Sequence, residues 1–97
     1  MPIVTITVVG DLIQVCPDPV YVSIDKKEQV EWEIQQDHDF DVEFAQAAPF
    51  AAQKFHGKKG TAAKSGGAKK GTENNDYKYT VKVPGKKPLD PTVRPTT

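Results

Sequence analysis

Along most of this 97-residue chain, apolar and polar residues alternate one for one. That is the period of a strand with one face buried and the other wet. Val4, Ile6 and Val8 share one side of the first run, with Thr5 and Thr7 on the other. Gly10-Asp11 predicts a turn, and Ile13 and Val15 a second short run. Pro17-Asp18-Pro19 cannot continue a central ladder, because a proline has no N–H to donate. Val20, Val22 and Ile24 then predict a strand, Asp25-Lys26-Lys27-Glu28 a polar turn, and Val30, Trp32 and Ile34 the next strand. DHDFDVEF (37–44) alternates again, with His38, Phe40, Val42 and Phe44 on one side. In YKYTVKV, Tyr77, Tyr79, Val81 and Val83 oppose Lys78, Thr80 and Lys82. Only APFAAQKF (48–55), a proline followed by alanines, predicts a short helix. About six or seven short strands with turn signals between them predict an all-β sandwich, one domain over 1–97.

One segment breaks the rhythm. GKKGTAAKSGGAKKGTENND (57–76) consists of Gly, Lys, Ala and small polar residues. With no large apolar side chain to bury, it cannot offset its ordering entropy by packing. It reads as a long, exposed, mobile Gly/Lys-rich loop, of the kind that serves contact rather than folding.

The formal charge of zero conceals a division. Between Asp11 and Glu43 ten acids face only Lys26 and Lys27; from Ala45 onward eleven bases face Glu73, Asp76 and Asp90. Such asymmetry marks either an interaction surface or two halves that pair with each other. Cys16 is the single cysteine, which rules out an internal disulfide and any zinc motif built on two cysteines. No apolar run approaches the ~18–20 residues of a membrane-spanning helix. The N-terminus enters a strand pattern without a basic region or cleavage motif, so the expected location is the cytoplasm.

Four marks in order resemble the cupredoxin family, the Greek-key sandwiches of blue copper proteins. PDPVYVSIDKKEQVEWEI resembles the family's P-x-x-V-x-V-x-x-G-x-x-V-x-W strand pair, with Lys27-Glu28 where the turn usually has glycine. DHDFDVEF is similar to its H-x-V-x-F strand, Ser65-Gly66 to its S-G, and YKYTV to its Y-x-Y-x-C. The resemblance spans roughly residues 1 to 94. It implies a cupredoxin-like sandwich in which the His-bearing strand pairs antiparallel with the Y-x-Y strand. The family's copper ligands are one histidine, matched by His38, and a Cys, a His and usually a Met after Y-x-Y. Here that loop, TVKVPGKKPLDPTVRP, has none of the three. Type-1 copper needs the His₂Cys set, so the expectation is a copper-free member with no cofactor.

The acidic row Asp39, Asp41, Glu43 is then expected to lie beside Lys78 and Lys82 across the ladder. Each opposite-charge pair contributes about 0.2–1 kcal/mol. As a metal site the row fails on geometry, since alternate strand residues stand about 6.6–6.8 Å apart in a line and calcium needs oxygens wrapped around it. His38 and His56 remain the metal candidates, His38 as a rim histidine and His56 as an exposed loop residue. Lys64-Ser65 lacks the G-x-x-x-x-G-K-[ST] of a phosphate loop, there is no G-x-S-x-G, and no base accompanies Cys16. The expectation is therefore no enzyme, but a binding or structural module that meets a protein partner through its loops, or self-associates through charged surfaces. The alternative is anion or nucleic-acid binding through Lys58, Lys59, Lys64, Lys69 and Lys70. Residual metal binding at His38 is a third.

Overall fold

The computed structural model describes residues 2–45 and 47–97. Among them it is all-β, with ten strand segments: β1 (Ile3–Val9), β2 (Leu12–Cys16), β3 (Val20–Ser23), β4 (Gln29–Ile34), β5 (Asp39–Glu43), β6 (Lys54–Lys58), β7 (Ala63–Gly67), β8 (Tyr77–Lys78), β9 (Thr80–Lys82) and β10 (Thr92–Thr96). One sheet runs β2-β1-β4-β7, and two three-stranded sheets run β3-β10-β8 and β6-β5-β9. Only Tyr79 separates β8 from β9, so the two smaller sheets meet along one stretch of chain. β10 flanks it at Tyr77 and Lys78, and β5 at Thr80, Val81 and Lys82.

Period-two alternation fills the space between the layers. Val4, Ile6, Val30, Trp32 and Ile34 come from the first sheet; Val20, Val22, Phe40, Val42, Val81 and Val93 come from the others; all are buried. Trp32 spans the layers, with its ring centroid 5.5 Å from those of both Phe55 and Tyr79 and 6.4 Å from that of Phe50. The contacts with Phe50 and Tyr79 are edge-to-face, an arrangement that adds to simple area burial.

The β1–β2 hairpin closes through Gly10, whose φ of 61° suits a two-residue turn. β1 and β4 run parallel, as do β10 and β3. Lys27 has φ 55°, a left-handed conformation that glycine adopts more easily. It occupies the turn where the resemblance expects glycine.

Three expectations are corrected. The segment 48–55 is not helical: residues 49–51 bend, and β6 begins at Lys54. Its apolar residues have other uses, since Phe50 and Ala48 enter the core and Phe55 packs against it. The segment 57–76 is not one loop, because β6 covers its start and β7 lies inside it, paired antiparallel with β4. Small residues make that possible. Gly57 lies opposite Phe40 in the ladder, and a Cβ there would fall 2.4 Å from the Phe40 ring. Ser65 is buried, accepts a 2.9 Å hydrogen bond from the Val30 N–H and donates to the Gly66 carbonyl at 2.7 Å. Thirdly, Lys78 does not flank the acidic row; it sits in β8 opposite Thr92.

Candidate functional site

Strand directions decide where the connections gather. β1 and β4 rise together, β5 and β7 descend from the end they reach, and β6 and β9 climb back to it. The β1–β2 turn, residues 35–38, 59–62 and 83–91 therefore share one end of the molecule. Two sets of hydrogen bonds tie residues 35–38 and 83–91 to the β1–β2 hairpin. The Gln36 side-chain amide accepts from the Val8 N–H at 2.6 Å and donates to the Val8 carbonyl at 2.9 Å, extending the parallel ladder by one side chain. The Lys87 N–H donates to the Asp11 carbonyl at 3.0 Å. This end carries Asp11, Asp37, His38, Lys58, Lys59, Lys86 and Lys87, with a groove of about 430 Å³ lined by residues that include Glu33, Gln35, Lys58, Lys59 and Thr61.

His38 stands just before β5, half-buried, with its backbone N–H donating to the Gln36 carbonyl at 2.8 Å. No hydrogen-bond partner of its ring lies among the described residues. His56 is not a loop residue. It occupies β6 opposite Asp41, and its Nδ1 is 2.7 Å from Asp41 Oδ1 on an exposed surface. This fixes the ring and leaves Nε2 outward, the way a carboxylate orients a ligating or basic histidine. Nothing completes such a site: among the described residues no group of three or more His, Cys, Asp or Glu could hold a metal ion. His38 and His56 are not brought together.

The acidic row is neutralised on both sides. β9 places Lys82 opposite Asp41, with its Nζ 3.2 Å from Glu43 Oε2. β6 places Lys58, His56 and Lys54 opposite Asp39, Asp41 and Glu43. The β6 flank was missed because the alternation of KFHGK is masked by a glycine at its second inward position.

The five lysines considered for anion binding are dispersed. Lys58 and Lys59 belong to the loop end. Lys64 lies on β7, 3.7 Å from Glu31 Oε1. Lys69 and Lys70 follow β7 at the opposite end, where the Lys69 N–H donates to the Pro49 carbonyl at 2.7 Å. A strand of five residues, about 16 Å, separates the two pairs. Sequence reasoning did not single out Lys86, Lys87 or Gln36; the proline- and lysine-rich composition of 83–91 was the available signal.

A second cleft, about 520 Å³, is lined by Ala45, Ala47, Asp76, Tyr77, Lys78, Thr80 and Asp90. Some of its polar groups are already engaged: Thr80 donates to Asp90 at 2.8 Å, and Arg94 reaches Asp76 at 3.4 Å. In the core, Tyr79 Oη and Trp32 Nε1 have no hydrogen-bond partner among the described residues. Burial pushes the Tyr79 phenol up to about 12, against the partial opposition of the nearby indole and with a small addition from Asp18.

The fold and this loop end define an all-β, sandwich-like protein with a charged surface at one end. No protein-family model matches the chain, and no curated protein and no solved structure does. Among the described residues no helix is long and apolar enough to cross a membrane.

Proposed function

We propose that this chain is a copper-free cupredoxin-like module, not an enzyme, that binds a protein partner through the loops at its charged end. The observation that carries the reading is the convergence of four connections on that end, two of them held to the β1–β2 hairpin by the Gln36 and Lys87 hydrogen bonds. Loops held on a rigid sandwich are where such scaffolds place recognition. Two features support the family assignment: the antiparallel pairing of β5 with β9, the continuation of the Y-x-Y segment, whose Tyr77 and Lys78 pair instead with β10, and the left-handed Lys27 in the turn expected to hold glycine. The region 83–91 that follows β9 holds Pro84, Gly85, Lys86, Lys87, Pro88 and Leu89 rather than thiolate or imidazole ligands.

Added Cu(II) is expected to give no intense visible thiolate-to-copper band, with or without His38→Ala. A blue species that the substitution abolishes would return the protein to the metal-handling class. The nucleic-acid alternative is separated by a gel-shift titration at low and physiological salt. The dispersed lysines predict only weak binding that vanishes as salt screens it. Retention at physiological salt, lost on Lys58→Ala/Lys59→Ala, would favour that alternative.

A further inference from the structure

The three sheets do not protect their edges equally. β6 is an edge strand whose outward side chains are Lys54, His56 and Lys58, charges of the kind that discourage edge pairing. β2 is the edge of the first sheet and reads LIQVC, with no charge and no proline. Its neighbourhood is apolar as well, since Val9 and Leu12, paired across the hairpin, are 53% and 54% exposed.

Hairpin geometry fixes which backbone groups of β2 are open. In a two-residue turn the flanking residues, here Val9 and Leu12, exchange hydrogen bonds. Leu12, Gln14 and Cys16 therefore point their backbone groups at β1, while Ile13 and Val15 point theirs outward. The opposite side of β1 has the matching parity, because it is Val8 that meets Gln36. The open stretch is bounded at both ends: the Asp11 carbonyl already accepts from the Lys87 N–H, and Pro17 has no N–H.

We infer that β2 pairs antiparallel with β2 of a second copy about a two-fold axis at Gln14. In that register Ile13 of each copy exchanges both backbone bonds with Val15 of the other, which uses every open group between the two stops. Gln14 meets its own counterpart, and Leu12 meets Cys16. The ends of β2 differ in charge: Lys86 and Lys87 outnumber Asp11 at one, while the other has Asp18, whose Oδ1 also accepts from the Thr92 N–H at 3.0 Å. Antiparallel pairing sets these ends against each other twice. A single strand pair is a small interface, so the dimer is weak and concentration-dependent. This inference concerns a strand edge and stands apart from the loop-end reading.

Sedimentation equilibrium across micromolar to millimolar protein tests it. Gln14→Glu and Gln14→Lys each place like charges across the axis and are expected to weaken dimerisation roughly fivefold or more. An equimolar mixture of the two should dimerise at least as well as the natural chain. Gln14 is exposed, and native tryptophan fluorescence verifies that both variants fold. A natural chain that stays monomeric at millimolar concentration overturns the inference and leaves the edge to a foreign strand. A dimer indifferent to both charges, or a mixture that restores nothing, overturns it too.

Discussion

Trp32 is the largest fully buried side chain among the described residues, packed against Phe50, Phe55 and Tyr79. Trp32→Ala is expected to cost about 3–5 kcal/mol in chemical denaturation, and a loss under 1 kcal/mol would contradict the central placement. Tyr79 behaves differently because its hydroxyl is buried with no hydrogen-bond partner among the described residues. Tyr79→Phe removes an unsatisfied group and is expected to be neutral or stabilising. The same residue sets a pH dependence. Its folded pKa of about 12 lies above the ordinary 10.0, so the folded state holds its proton while the unfolded chain releases it. The contribution is whole below about pH 10 and is lost as pH rises towards 12. Denaturation midpoints of Tyr79→Phe should therefore fall less steeply over that window than those of the natural chain.

The strands most legible in the sequence are those whose inward positions are large and apolar, as in Val30-Glu31-Trp32-Glu33-Ile34 and Phe40-Asp41-Val42. β7 was invisible for the opposite reason. Its inward residues are Ala63 and Ser65, and composition alone made the stretch a loop. Its pairing with β4 rests partly on the Ser65 hydroxyl accepting from the Val30 N–H. Ser65→Ala should thus cost about 1–3 kcal/mol, the penalty of a buried donor left unpaired, whereas a mobile loop would register no change. β10 lacks a clear strand signal in the sequence because Pro91 precedes it and Pro95 lies within it, yet it pairs in parallel with β3 through Val93 to Thr96. The charged strand β5 was read for the right reason with one wrong neighbour. Lys82→Glu is expected to cost up to about 1 kcal/mol, as for a half-exposed pair, and Glu43→Lys in the same chain to recover part of it. Lys78→Glu should show no coupling to Glu43→Lys, and a coupling as large as that of Lys82 would contradict the register.

At the scale of the whole molecule, the opposed charges of the two halves are partly spent within the fold. The acidic row of β5 lies between bases on β6 and β9, and Glu31 meets Lys64. Many of the rest lie on connections at the two ends, among them Lys59, Lys86 and Lys87 at one and Asp25, Lys69 and Lys70 at the other; sequence order conceals this because each end is assembled from distant segments. The candidate site was legible only in part: Lys58, Lys59 and His38 were named from the chain, but their neighbours Gln36, Lys86 and Lys87 become neighbours through topology. The loop-end claim is tested most directly by capturing partners with two variants that keep net charge constant. Asp37→Lys/Lys59→Glu rearranges exposed charge at the loop end; Asp25→Lys/Lys70→Glu does so at the other. Quantitative comparison of proteins retained by each and by the natural chain should show a specific partner lost only with the loop-end variant. A partner lost only with the opposite-end variant, or retained equally by all three, would contradict the assignment.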